Sequence, residues 1–258
     1  MSTSDLMQIL LPGRFEEATT AYGYVRTVFE QVAAGERGPT VSITPSTRHV
    51  GVTRRDTFRS GFAEAVRASR EEGYPVLVRG AGGGATAAHY GTFGFSIIRP
   101  SDASESRRTI HDRYDEAAAL ALGTFARLGV RVEVGEVRDE FCPGDHSIRV
   151  GDWENGMKLV GIAQRVTRRA TSVGGIVLVA GEDELAQVLE LVYGAMRLPF
   201  RPQSVGSLER AGMAAGVDEV IEAFATEAAL RYGAARAPLD ERTLELARED
   251  GGAHLAGA

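Results

Sequence analysis

Between residues 75 and 180 the chain spells one short β-rich run after another, with a single long helical stretch among them. The runs are VLVR after Pro75, Phe93–Ile98, 130–134 (VRVEV), 146–150, 157–167 and 173–180 (VGGIVLVA). Two more, Thr40–Thr44 and His49–Val52, lie upstream around Pro45 and Ser46. A doubly wound parallel sheet needs a crossover, usually a helix, between each strand and the next. That rhythm is missing, so the pattern predicts an α+β fold, a mixed or antiparallel sheet flanked by helices.

The flanking helices read from apolar spacing and caps. Residues 16–34 carry Ala18, Tyr22, Val25, Phe29 and Val32 on one stripe, and 57–72 can be capped by Asp56 and Thr57. Further helices are expected at about 109–128, 182–196, 217–232 and 239–250. A Pro/Gly/Ser-rich stretch, roughly 199–216, links the fourth to the fifth. The expected organisation is one catalytic domain over 1–232, with 233–258 a peripheral helix and loose tail.

A net charge of -6 argues against a nucleic-acid partner, which wants a basic face. No apolar run approaches the roughly 20 residues of a membrane span. The start, MSTSDLMQILLPGRFEE, lacks the basic region of a signal peptide. The expectation is a cytoplasmic protein with no membrane partner. One cysteine forms no internal disulfide. His49, His89, His111, His146 and His254 are scattered, so no metal site is expected.

Of the 29 basic residues, 28 are Arg, and Lys158 is the single lysine. Arg stays protonated and presents a planar fork, whereas Lys is a compact point charge with a movable pKa. A lone Lys in an Arg-rich chain is a candidate for a role Arg cannot fill. The single cysteine, Cys142, lies sixteen residues earlier, and a nearby cation lowers a thiol's pKa.

Three segments can carry chemistry. In Arg79-Gly-Ala-Gly-Gly-Gly-Ala85, Gly82, Gly83 and Gly84 leave backbone amides bare for close ligand approach, or form a tight turn. In Phe141-Cys142-Pro143-Gly144-Asp145-His146-Ser147, the Pro-Gly turn would expose the thiol at a bend; a half-buried cysteine is the plainer alternative. In Met157–Arg165, strict alternation puts Lys158, Val160, Ile162 and Gln164 on one face and Gly161 and Ala163 on the other. Such a strand can line a narrow apolar slot with a cation at one end.

Together these segments resemble the lipoate-protein ligase and octanoyltransferase superfamily. Its catalytic fold is shared with biotin protein ligase and is class II aminoacyl-tRNA synthetase-like. Pro75–Ile98, PVLVRGAGGGATAAHYGTFGFSII, is similar to the family signature of strand, Arg, small residue, Gly-Gly-Gly-Ala and a Gly before a second strand. Lys158–Arg165 is similar to its motif Lys-(x)2-Gly-x-Ala-x-Arg, and Gly175 follows in place. The resemblance covers about residues 16–232.

It implies attachment of a lipoyl or octanoyl group to a lysine of a lipoyl-domain acceptor protein. A transferase takes the acyl group from acyl carrier protein through an acyl-Cys142 intermediate assisted by Lys158, with Ser147 also in place. An ATP-dependent ligase, needing ATP and Mg, holds an acyl-adenylate with Arg79, the glycine loop and Lys158. A third reading is a non-catalytic acyl binder. The implied substrate-binding residues are Arg79, Gly82, Gly83, Gly84, Ala85, His89, Gly161, Ala163 and Gly175. Three departures stand out: the third glycine is intact, as in ligases; His89 replaces a common Asp; and Gly174 replaces a common His.

Overall fold

A computed structural model describes residues 6–256. Strand β1 (Gln8–Leu10) leads into helix α1 (Ala18–Ala34), which Gly35 ends in a left-handed conformation. Strands β2 (Thr40–Pro45) and β3 (His49–Thr53) follow. The helix expected over 57–72 divides into a 3-10 turn at Asp56–Phe58 and α2 (Phe62–Glu71). Between them Gly61 has φ +82°, which a continuous helix cannot hold.

Strand β4 (Val76–Arg79) runs into the glycine loop, then β5 (Thr86–Ala88) and β6 (Thr92–Pro100). Helix α3 (Ile110–Arg127) opens on a capping box between Thr109 and Asp112. The strands expected at 130–134 and 146–150 shorten to β7 (Glu133–Val134) and β8 (Ile148–Val150). The long hairpin β9 (Met157–Val166) and β10 (Ala170–Leu178) precedes α4 (Glu182–Ala195) and α5 (Val217–Tyr232). Strand β11 (Ala235–Arg236) and α6 (Glu241–Gly251) close the chain.

Eight strands form one sheet in the order β11-β1-β2-β6-β10-β9-β8-β7, and β4-β3-β5 form a second. β1 pairs parallel with both β11 and β2, and β3 parallel with β4; the remaining ladders are antiparallel. The fold is therefore the α+β, mixed-sheet architecture expected from the sequence.

Alternation along the strands sends side chains to two cores. Ile43, Phe93, Phe95, Ile97 and Val177 pack with Phe125 of α3 and Phe224 of α5. On the opposite face Leu10 and Ile98 meet Tyr24, Val28 and Phe29 of α1 and Ala247 of α6. A third core joins the small sheet to α2 and α4.

The helix expected after 232 is present as α6, while the stretch that follows it is fastened to the fold as far as Ala256. β11 extends the large sheet, α6 lies along α1, and Leu255 bridges to Leu77 of β4. No helix among the described residues is long and apolar enough to cross a membrane.

Candidate active site

Small side chains open a space between the two sheets. Thr44, Gly94, Ser96, Ala163, Ser172 and Gly174 stand where larger residues would fill it, and Tyr22, Val25 and Phe29 of α1 cover them. The result is a mostly apolar cavity of about 820 Å³. Gly174 is obligatory here, because a Cβ would collide with the Phe95 carbonyl of the neighbouring strand. A histidine at that position is therefore incompatible with this backbone.

Cys142 lines the cavity from the loop between β7 and β8. Its φ of +44° is unusual for a residue with a side chain, and four contacts hold it there. Its N–H donates to Tyr193 Oη (2.6 Å), and that hydroxyl donates to the Ala85 carbonyl (2.9 Å). Its carbonyl accepts from Lys158 Nζ (2.8 Å). Its Sγ accepts from the Gly84 N–H (3.2 Å) and the Arg79 guanidinium (3.4 Å).

The residue is only 8% exposed, so the thiol is not at an open bend; it reaches a ligand through the cavity. Burial pushes its pKa up. The charges of Arg79 and Lys158, with the hydrogen bonds from Gly84 N–H and Arg79, outweigh this and hold it below the ordinary thiol value.

Lys158 is buried completely and all three of its N–H donors are spent inside the protein. They go to Glu140 Oε1 (2.9 Å), the Phe141 carbonyl (2.9 Å) and the Cys142 carbonyl (2.8 Å), and the ammonium stands 4.6 Å from the Phe141 ring centroid. It braces the cysteine loop from beneath instead of lining the cavity.

Strict alternation placed Lys158 opposite Gly161, but a Cβ at Gly161 would lie 3.0 Å from Lys158 Cε. The cause is a bulge. Ile148 pairs with Val160 and Arg149 with Lys158, so Leu159 is an extra residue that inverts the facing of the strand around it.

Glu140 escaped the sequence reading. Its buried carboxylate also accepts from Ser147 Oγ (2.5 Å), Gly144 N–H (3.3 Å) and Val137 N–H (3.0 Å). Its available signal was chemical: a buried lysine needs an anion, and Glu140 stands two residues before Cys142. Tyr193, also missed, hides on the apolar stripe of α4.

The other expected residues divide. Arg79, Gly82, Gly161, Ala163 and Gly175 border the cavity. Gly83 and Gly84 cradle the thiol, and Gly83 needs both its φ of +101° and its missing Cβ, which would lie 2.5 Å from Cys142 Sγ. Ala85 is buried in the core behind the loop. His89 is not brought to the cavity. Its Nδ1 accepts from Gly91 N–H (3.1 Å) and its Nε2 meets the Gly181 carbonyl (2.9 Å), which latches the β5–β6 turn to the start of α4.

His146 pairs with Asp115 (3.2 Å) and stacks on Tyr114. Thr47 and Arg79 border the cavity, and Thr47 Oγ1 and Arg79 Nε are buried without a protein hydrogen-bond partner. No three His, Cys, Asp or Glu side chains among the described residues gather as for a metal.

Fold and site together set a thiol of lowered pKa on the wall of a mostly apolar cavity. The chain belongs to the family described as lipoyl protein ligase A/B catalytic domain, which matches residues 18–229. It is 32% identical over 142 residues to an octanoyl-[GcvH]:protein N-octanoyltransferase of Geobacillus kaustophilus, covering 55% of this chain and 48% of that one. It is 26% identical over 114 residues to a lipoyl-[GcvH]:protein N-lipoyltransferase of Listeria monocytogenes, covering 44% and 39%. The chain thus spans about half or less of these relatives' length.

Lipoate-protein ligase A bound with ATP superposes with a TM-score of 0.70 at 19% identity, over 97% of this chain and 95% of that one. The bipartite lipoate protein ligase of Thermoplasma acidophilum gives 0.68 at 18%, over 96% and 92%. These two share the fold.

Proposed function

We propose that this protein transfers an octanoyl or lipoyl group from a carrier protein to a lysine of a lipoyl-domain acceptor through a thioester on Cys142. The observation that carries the reading is the setting of Cys142 Sγ: a thiol held below its ordinary pKa by Arg79, Lys158 and the Gly84 N–H, on the wall of an apolar cavity. The thiolate attacks the carrier's acyl carbonyl and the carrier leaves with a proton. The acceptor's neutral amine then attacks the thioester, releasing Cys142.

Arg79 and the Gly84 N–H supply the thiolate's counter-charge. Lys158 and Tyr193 fix its direction by holding the backbone on either side. The curated relatives' names point to a lipoyl-domain protein as carrier, in place of the acyl carrier protein expected from the sequence. The ATP-dependent reading draws no support from Lys158, whose donors are already committed.

The test offers the enzyme octanoylated lipoyl-domain protein and octanoyl-acyl carrier protein in parallel, followed by intact mass spectrometry. One octanoyl adduct, absent in Cys142→Ser, supports the reading, and the donor that yields it names the carrier. Acceptor acylation by Cys142→Ser at the wild-type rate would sink it. If that acylation also requires ATP and free octanoate, the ligase takes its place.

A further inference from the structure

The cavity has a wall that the family match does not include. That match ends at residue 229, yet His254 borders the cavity. Its ring packs edge-on against Tyr22 of α1, centroids 5.6 Å apart, and Tyr22 meets His49 the same way at 5.2 Å.

The ring sits between two acceptors, with Nδ1 3.2 Å from the Val78 carbonyl and Nε2 3.1 Å from Asp250 Oδ2, and donates a hydrogen bond within this pair. Asp250 is bound in turn by Arg26 of α1 (2.9 Å). The backbone beyond is fastened as well: the Ala256 N–H donates to the Val76 carbonyl (2.9 Å), and Arg70 donates to the Ala256 carbonyl (2.9 Å). Gly23 lets α6 approach, since a Cβ there would collide with the Ala247 carbonyl.

We propose that the segment 250–256 holds His254 as a built-in wall of the acyl cavity, and that His254 sets the length and bulk of the acyl group admitted. The inference rests on the reading of the cavity as an acyl site. A ring set between the Val78 carbonyl and Asp250 and packed edge-on against Tyr22 resists swinging aside for a longer chain. Its main-chain anchor, the Val78 carbonyl, lies one residue before Arg79, so strand β4 carries both the contact that holds His254 and the cation beside the thiol. A pocket discriminates by about tenfold or more per misfitting methylene, so one fixed ring is enough to enforce a chain-length limit.

The test measures the rate of Cys142 acylation, by intact mass, with hexanoyl, octanoyl and dodecanoyl thioesters of N-acetylcysteamine. Binding of the three free acids to the Cys142→Ser protein, by calorimetry, runs alongside. His254→Ala should raise the dodecanoyl-to-octanoyl ratio about tenfold or more, and His254→Trp should raise the hexanoyl-to-octanoyl ratio by a similar factor. Melting curves identify any variant that fails to fold, and the two substitutions act in opposite directions.

Unchanged ratios in both variants overturn the wall. Binding of the acids to the Cys142→Ser protein, with no acyl group taken up by wild type, defeats the covalent mechanism alone, and the binding ratios of the His254 variants in the Cys142→Ser background then decide the wall. Binding of none of the acids to the Cys142→Ser protein, with no acylation of wild type, removes the acyl site and the wall with it.

Discussion

Replacing Lys158 by Met tests whether the lysine is a brace. The side chains are similar in length, but the ammonium is lost and Glu140 is left buried without its cation. Removing one partner of a buried pair costs about 3–5 kcal/mol. Glu140 keeps three donors, from Ser147, Gly144 and Val137, which moderates the loss. The Phe141 and Cys142 carbonyls keep none from the lysine, and an unmet buried acceptor costs about 1–3 kcal/mol.

A net loss of about 4 kcal/mol follows, against a total stability of roughly 5–15 kcal/mol for a domain. The variant should fold at room temperature and melt roughly 10 °C lower. Urea unfolding gives the free energy. Iodoacetamide reactivity of Cys142 reports whether the loop has moved. Adding Glu140→Leu should recover most of the stability, since an apolar pair of similar volume often equals a buried ion pair. It should not restore acyl transfer, because the two carbonyls stay unheld. A loss under about 1 kcal/mol with unaltered thiol reactivity would refute the brace.

Arg79→Leu removes the cation with the larger influence on Cys142, so the thiol pKa should rise. The pH profile of alkylation should move to higher pH, and an unshifted profile would assign the lowered value elsewhere. Gly83→Val places a Cβ against the thiol in a backbone conformation that a β-branched residue resists. It should displace Sγ and abolish acylation, checked by mass spectrometry; normal acylation would show that the loop yields freely. Tyr193→Phe leaves the Cys142 N–H and the Ala85 carbonyl without partners. The turnover rate should fall at least tenfold (about 1.4 kcal/mol) while KM changes little, whereas a change in KM alone would contradict a positioning role.

Lys158, Cys142 and the glycine run were legible because rarity and local spacing single them out, and the mixed sheet because the strands lack crossovers. What stayed hidden depends on register and on distant partners. The bulge at Leu159 exists only through the pairing of β9 with β8, so alternation counted along one strand put Lys158 on the wrong face. Glu140 reads as one acidic residue among 35 until the fold sets it against the lysine. His89 sat within a recognisable motif, yet its ring serves two backbone groups that local sequence does not pair. The wall at His254 depends on α6 meeting α1 more than 200 residues away, a contact for which only glycines such as Gly23 and Gly251 carry a trace.

A thioester beside an amine is ordinarily short-lived, because an intramolecular neighbour acts at an effective concentration far above any solute. An enzyme that carries acyl groups toward lysines therefore risks acylating itself. Here the single lysine lies beneath the cysteine loop with every proton donated, so it presents no lone pair to the acyl carbon. Every other basic side chain that could approach is a guanidinium or an imidazole. Under the proposed transfer, acyl-lysine recovered from a reaction mixture would report on the acceptor alone, and the thioester on Cys142 would await its partner without being consumed by the protein's own lysine.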